Sequence, residues 1–506
     1  MGKNIFNSVQ VEKPKKNVFD LSHDVKMSMK MGNLTPVLVT ECVPGDSFQI
    51  GCDSLIRFAP MVAPVMHRMD VSVHYFFVPN RLTWDNWEKY IVDADTPNPL
   101  PYINYTDDFT ADQKKFLDYM GVPPNTGTGI TQALNALPIA AYQAIYNEYY
   151  RDENLVTEVD YTLADGNNTG DVVDLVKMRQ RAWEHDYFTA SLPFAQKGTA
   201  VDIPIGSIDS DVAVNWNSDE TASNQIQAYI NGTLVGNLGV GNTQGVSTIG
   251  TPKLIAKTSD LDIQPTTIND LRRAFRLQEW LEKNARGGTR YIENILMHFG
   301  VRSSDKRLQR PEYITGLKTP VIISEVLNTS ATDQEPQGNM AGHGVAVSTG
   351  KYGNYFCEEH GYIIGIMSVM PQPAYQQGIP KTYLKSDPLD FFWPSFAHIG
   401  EQPVTNNELY AYTATAEDTF GYVPRYAEYK YQASRVAGDF RTILDYWHLG
   451  RIFATQPALN DTFIECTPDQ CERIFAVQDG EDNLYCQIMH KIKAVRPMPK
   501  FGTPNF

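Results

Sequence analysis

Six cysteines in 506 residues are too few and too scattered for a disulfide scaffold, and they point to a reducing compartment. Long hydrophobic runs are scarce as well. The longest, Tyr362-Ile-Ile-Gly-Ile-Met-Ser-Val-Met370, falls far short of a membrane span and reads as a buried strand. The first thirty residues alternate Lys with polar residues and contain no apolar export segment, so neither a secretory signal nor membrane insertion is expected. Positive charge is in deficit. The chain has 43 Lys+Arg against 59 Asp+Glu and a formal net charge of -16, a poor balance for coating nucleic acid by bulk charge, although local basic patches stay open.

Catalytic signatures are lacking too. There is no Ser-nucleophile elbow, no His-Glu-x-x-His and no catalytic-cysteine signature. Glu358-Glu-His360 could serve acid–base chemistry, but neighbours on a strand point to opposite faces and would not converge. Gly236-x-x-Gly239-x-Gly241 and Gly338-x-x-x-Gly342 lack the strand-to-helix context that aims backbone N–H groups at a phosphate. Cys466, Cys471, Cys486 and His490 can be drawn as a zinc site, but the first spacing is loose and the segment looks strand-like. They read as ordinary buried residues, as do Cys42 and Cys52. No enzyme activity, cofactor or metal is expected.

What the chain does have is a large buriable fraction, 42% hydrophobic with 27 Tyr and 23 Phe, punctuated by 31 Pro and 35 Gly. Rings and turn-formers together favour sheets and loops over a helical bundle. From Thr35 to Asn80, and again from Thr319 onward, short β-branched or alternating runs are separated by Pro and Gly. Four helices are expected between these halves. Thr110-Ala-Asp-Gln113 caps Lys114–Met120; Pro138 opens Ile139–Tyr150; Asp171–Tyr187 is the third; and Leu271–Ala285 runs up to Gly287-Gly288. A sandwich with strands from both ends of the chain, elaborated at its loops, is the simplest architecture.

Four segments stand out. The arm from Met1 to Gly32 is basic against the trend of the chain, its Lys residues including Lys13, Lys15 and Lys16, and reads as an extended piece. It is either a solvated tail or a contact with a neighbouring subunit or an enclosed polyanion. At the other end Lys491, Lys493, Arg496 and Lys500, with Pro497 and Pro499 opposing a helix, make residues 490–506 a second basic extended piece. From Gly198 to Pro252 there is no Lys or Arg over 55 residues rich in Asn, Ser, Thr and Gly, which reads as a surface insertion. Arg276, Trp280, Arg286, Arg290, Arg307 and Arg310 belong to a stretch where Arg and aromatics interleave, the anchors of interfaces and of single-stranded nucleic-acid contacts. A solvated helix face beside ordinary core rings is the competing reading.

Longer phrases are more specific. They include Phe19-Asp-Leu-Ser-His-Asp24, Pro44-Gly-Asp-Ser-Phe48, and Arg68-Met-Asp-Val-Ser-Val-His-Tyr-Phe-Phe-Val-Pro-Asn-Arg-Leu82 followed by Trp84 and Trp87. Further on come Trp183-Glu-His-Asp-Tyr-Phe-Thr-Ala-Ser-Leu-Pro193, Arg286-Gly-Gly-Thr-Arg-Tyr291, His298-Phe-Gly-Val-Arg-Ser-Ser-Asp305 and Arg425-Tyr-Ala-Glu-Tyr429. With these the chain resembles the major capsid proteins of microviruses, small tailless single-stranded DNA phages, and most closely the gokushovirus branch. The resemblance spans nearly everything but the polar insertion.

It implies a mainly β fold: an eight-stranded antiparallel jelly-roll barrel with large helical and loop insertions, residues 33–506 forming one domain behind the 1–32 arm. It also implies assembly as a homo-oligomer into a T = 1 icosahedral shell around circular single-stranded DNA, made in the host bacterial cytoplasm and ending in the virion. Implied partners are a small basic DNA-binding protein, a pilot protein and an unknown host surface receptor. The insertion from Thr199 to Thr266 is the candidate threefold protrusion for host contact. A jelly-roll carbohydrate- or receptor-binding module outside any shell is the alternative, and a hydrolase with an unrecognised carboxylate pair is the weakest reading.

Overall fold

The computed structural model describes residues 14–92, 99–124, 129–199, 201, 214–216, 226–230, 233–238, 254–256, 268–327, 340–350, 352–478 and 480–501. It is built mainly of antiparallel sheets with some helices, and the chain divides into two compact units: residues 1–195 with 284–506, and residues 196–283.

Eleven strands of the first unit form its two main sheets. They are β1 (Asn17–Asp20), β2 (His23–Met29), β3 (Thr35–Cys42), β4 (Ser47–Phe58), β5 (Met69–Pro79), β6 (Glu312–Pro320), β7 (Ile322–Leu327), β8 (Met340–Thr349), β9 (Gly353–Phe356), β10 (Gly361–Pro371) and β11 (Leu484–Arg496). One sheet runs β1-β11-β4-β8-β7, with β2 also on β11 and β9 also on β4; the other runs β6-β5-β10-β3. Every pairing is antiparallel, and the C-terminal β11 lies between β1 and β2 on one side and β4 on the other, all from the N-terminal part of the chain.

The alternation in these strands sets their faces. Along β11 the even positions Cys486, Ile488, His490 and Ile492 are buried, while odd positions such as Tyr485 and Lys493 face out. Phe48, Ile50 and Ile56 of β4, Val73, Tyr75 and Phe77 of β5, and Ile363, Met367 and Val369 of β10 meet these residues in a core between the sheets. The opposite face of β10, carrying Tyr362, Ile364 and Ile366, packs into a second core with α1 (Ala111–Tyr119) and α2 (Leu137–Ile145). Covered on both faces, all eleven residues of β10 are buried, which accounts for the unbroken apolar run in the sequence. Gly365 is required in it: a Cβ there would stand 2.8 Å from the Tyr75 ring and 3.0 Å from Leu38 Cβ.

The helices follow their caps. Thr110 Oγ1 accepts from Gln113 N at 3.3 Å while the Gln113 side chain accepts from Thr110 N at 2.9 Å, the expected reciprocal box. Pro138 occupies the first turn of α2, which continues through a wider π-type turn at Tyr146–Tyr150. The third expected helix is a correction. Only a short 3-10 turn at Thr169–Asp171 and one helical turn at Val172–Leu175 form, and the chain then runs irregularly to Tyr187. Tertiary contacts override local preference here. Gln180 and Ala182 make isolated bridges to Asn33 and Glu465, Trp183 N donates to Ile464 O at 2.9 Å, and the Arg181 guanidinium reaches into the sheet to Ser72 and Ser368.

In residues 17–29 the basic arm is not free of the domain. Its strands β1 and β2 pair with β11, and in β2 Val25, Met27 and Met29 alternate with polar residues. In the second unit, Val214–Trp216 pairs with Leu254–Ala256, and Ile226–Ile230 with Thr233–Leu238. Most of the Thr199–Thr266 segment lies outside the described residues. Helix α3 (Ile268–Arg286) begins in the second unit and ends in the first; α4 (Tyr291–Phe299) belongs to the first and closes on Gly300 in the left-handed conformation at φ 68°.

Candidate functional site

The two basic ends of the sequence meet on one sheet. Register pairs Asn17 with Arg496 and Asp20 with Lys493, so the N-terminal arm and the C-terminal segment run side by side. Lys16 Nζ donates to Gly45 O at 2.6 Å and lies 5.2 Å from the centre of the half-exposed Phe356 ring. Lys493 is exposed and, with Phe356, Gln49 and Asn354, lines an open groove of about 450 Å³ on the outer sheet face. A cation, an exposed ring and two amides in one groove can contact a phosphate while a base stacks.

The other basic residues of these ends differ in freedom. Arg496 is committed within the chain: it pairs with Asp46 at 3.0 Å, donates to Glu41 O and covers the Phe48 ring at 5.5 Å. Lys491 pairs with Asp53, which raises its pKa. Lys15 and Lys500 are exposed, the latter 5.8 Å from the Phe501 ring, and Lys13 lies outside the described residues.

The Arg–aromatic stretch separates into two kinds of residue. Arg286, Arg290 and Arg310 tie the first unit to itself. Arg286 pairs with the nearly buried Glu401 and donates to Ala190 O at 3.2 Å. Arg290 pairs with Glu153 at 2.6 Å and donates to Asn147 O at 2.6 Å and Arg151 O at 3.1 Å. Arg310 is buried, 4.5 Å from the Tyr149 ring centre, with Glu148 at 3.5 Å and Asp305 at 3.4 Å. Arg276 and Arg307 are exposed, and Trp280 is half exposed. Arg276 pairs along α3 with Glu279 at 2.6 Å, a contact of the solvated kind.

A second aromatic surface lies outside the residues singled out from the sequence. Phe391, Phe392 and Trp393 each expose about half of their surface, with Tyr429 beside them. Trp393 Nε1 donates to Pro388 O at 2.9 Å, Lys385 Nζ sits 4.0 Å over the Tyr429 ring, and the buried Tyr426 holds φ at 61° where the loop turns. The run Asp390-Phe-Phe-Trp-Pro394 is the signal that marks this surface.

Residues considered for chemistry are engaged elsewhere. His490 Nδ1 and Tyr75 Oη are 3.0 Å apart, and His490 Nε2 is 3.0 Å from Val37 O, so both ring nitrogens are bound within the core. Burial lowers its pKa to about 4. Cys466 and Cys471 are buried with their Sγ atoms 3.7 Å apart, and no metal-binding group of three or more ligands occurs among the described residues. Glu359 pairs with Arg81 at 2.6 Å and Glu358 with Lys306, so the two carboxylates face different cations. No helix among the described residues is long and apolar enough to cross a membrane.

Comparison with known proteins gives the family. The phage capsid protein (F protein) family profile matches residues 7–506. The chain is 34% identical to capsid protein VP1 of Chlamydia phage 1, over 99% of this chain and 98% of that one. It is 37% identical to capsid protein VP1 of Bdellovibrio phage phiMH2K, over 96% and 94%. With capsid protein VP1 of Spiroplasma virus 4 the identity is 29%, again over 96% and 94%. Matched almost end to end, the chain belongs to the phage capsid protein (F protein) family, on the gokushovirus branch of the microviruses, and its role is structural rather than enzymatic.

Proposed function

We propose that the chain is the major shell subunit of a small T = 1 icosahedral virion, enclosing circular single-stranded DNA. The observation that carries this is the match over residues 7–506 to a family of capsid proteins that assemble into multimeric shells. An eight-stranded jelly roll is the fold we assign to it. The rows β2-β11-β4-β8 and β3-β10-β5-β6 support that assignment, since successive strands alternate between the two sheets, apart from β5 and β6, which straddle the long insertion.

In this reading Lys15, Lys16, Lys493 and Lys500, with Lys13 of the arm, contact the DNA; the shared sheet end and the groove beside Phe356 favour it. Lys491 and Arg496 serve mainly to hold the strand end in place. Arg276, Trp280 and Arg307, together with the Phe391–Trp393 surface, meet neighbouring subunits. Arg286, Arg290 and Arg310 brace that interface from inside the subunit. The insertion from Thr199 to Thr266 contacts the host surface. A small basic protein and a pilot protein complete the particle, which is assembled in the bacterial cytoplasm. Because the subunit is acidic, with net charge -16, the small basic protein and cations neutralise most of the genome.

Sedimentation of native particles from lysed producing cells, with imaging and nuclease protection, tests this reading. Fast, uniform spheres protecting single-stranded DNA are expected. Slow material of a few subunits and no particle would overturn it.

A further inference from the structure

Arg451 is an unusually dry cation. It is 5% exposed, and its guanidinium carbon lies 4.1 Å from the Phe463 ring centre, 5.0 Å from Phe453 and 5.1 Å from Trp183. Nη2 donates to Phe463 O at 2.6 Å, the Tyr375 hydroxyl lies near enough to act on the guanidinium, and no hydrogen bond of ordinary geometry reaches the buried Nε and Nη1. The residue lines a cavity of about 60 Å³ together with Trp183, Gln470 and Arg473, and Leu449 and Phe453 supply apolar wall. Two more buried polar atoms of that lining lack partners, Trp183 Nε1 and Gln470 Oε1, and Trp183 is 2% exposed. Native proteins seldom leave so many buried polar atoms together without a common partner.

The charge balance narrows what that partner is. Arg473 is hydrogen-bonded, with Nε 3.1 Å from both Asp445 O and His448 O, but carbonyl oxygens bring no full negative charge. Burial depresses the pKa of both Arg451 and Arg473, the mark of cations stripped of solvent. Asp186 acts on Arg451 from a second layer, where its Oδ2 accepts the Tyr375 hydroxyl at 2.7 Å, and Asp445 acts on Arg473; neither carboxylate lines the cavity. The space is too small for a nucleotide but has room for a monatomic anion with a few waters. Gln470 joins the donors when its amide is turned to present its NH2 group, an orientation set by the hydrogen-bond network.

We propose that this cavity is a buried site for a small inorganic anion of the halide class, held by Arg451, Trp183 Nε1 and the Gln470 amide beside Arg473. Bound there, the anion ties the segment around Arg451 to the Pro468–Ile474 turn and to Trp183. It is a structural ligand and takes no part in chemistry.

The test uses purified native particles exchanged into sodium gluconate and then into sodium chloride or bromide at equal ionic strength. The thermal unfolding midpoint is expected to rise by several degrees in chloride and bromide and to saturate with concentration. Particles carrying Gln470→Glu, which supplies the negative charge covalently, are expected to lose that dependence. Particle crystals soaked in bromide are expected to show an anomalous peak within contact distance of Arg451, a readout that needs no variant. Equal midpoints in chloride and gluconate, full chloride dependence in Gln470→Glu, or no bromide peak at the cavity would each overturn the proposal.

Discussion

Every residue of β10 is buried, whereas along the nineteen residues of α3 only Asn284 and Ala285 are. β10 is fixed from both sides, by the core between the sheets and by the core beneath α2. α3 turns Phe275, Leu277 and half of Trp280 to solvent. The same chain therefore spends its apolar residues in two ways. In the first unit they specify a rigid double sheet; at the edge of the second they are left at the surface, where a structural shell protein has uses for them that a lone globular protein does not.

Truncating an aromatic in each place breaks or sharpens this contrast most strongly. Phe77→Ala in the inter-sheet core is expected to cost about 3–5 kcal/mol of subunit stability. Phe275→Ala, at 62% exposed, is expected to change it by less than about 0.5 kcal/mol. Urea unfolding of the subunit measures both, and equal losses would erase the distinction.

Acid provides the next largest effect, confined to the first unit. Burial lowers His490, His67 and His74 to about 4 each. Because the fold prefers each ring neutral while the unfolded chain protonates near 6.5, this stability is complete above about pH 6.5 and is lost as pH falls toward 4. A fall of about 3 kcal/mol for His490 alone is expected across that window. His490→Gln, which can still serve both Tyr75 and Val37, should flatten its share in urea midpoints measured from pH 7 to pH 4. An unchanged slope would contradict this.

Charge contrasts come last. Arg286→Ala leaves the nearly buried Glu401 without its cation and is expected to cost roughly 2 kcal/mol by the same unfolding assay. Arg276→Ala, whose side chain is 82% exposed, is expected to move stability by no more than about 0.5 kcal/mol while lowering the yield of assembled particles. A large stability loss at Arg276 with normal particle yield would reverse the two roles.

The sequence made the core easy to read and the surfaces hard. The Tyr362–Met370 run, the Thr110 capping box and the strand signals at both chain ends all correspond to elements, because burial on fixed faces leaves a period or a run behind. Asp171–Tyr187 has helical spacing, but Arg181 and Trp183 gain more from contacts with the sheet and the Ile464 backbone than a helix returns, and local pattern does not record distant partners. The Arg-rich stretch shows the same limit. Composition placed Arg276 and Arg310 in one group, and only the fold separates an exposed cation from one stacked on Tyr149. The meeting of Asn17 with Arg496 and of Asp20 with Lys493 was equally hidden, since the pairing of β1 with β11 joins residues from opposite ends of the chain.

The most direct test is a three-dimensional reconstruction of the native particle with this subunit fitted into it. A T = 1 shell is expected, with the Lys16–Lys493 sheet end facing the DNA, the Phe391–Trp393 surface covered by a neighbouring subunit, and residues 199–266 projecting outward. A shell that leaves Phe391–Trp393 bare and turns Lys16 and Lys493 to the exterior would contradict the assignment of these surfaces.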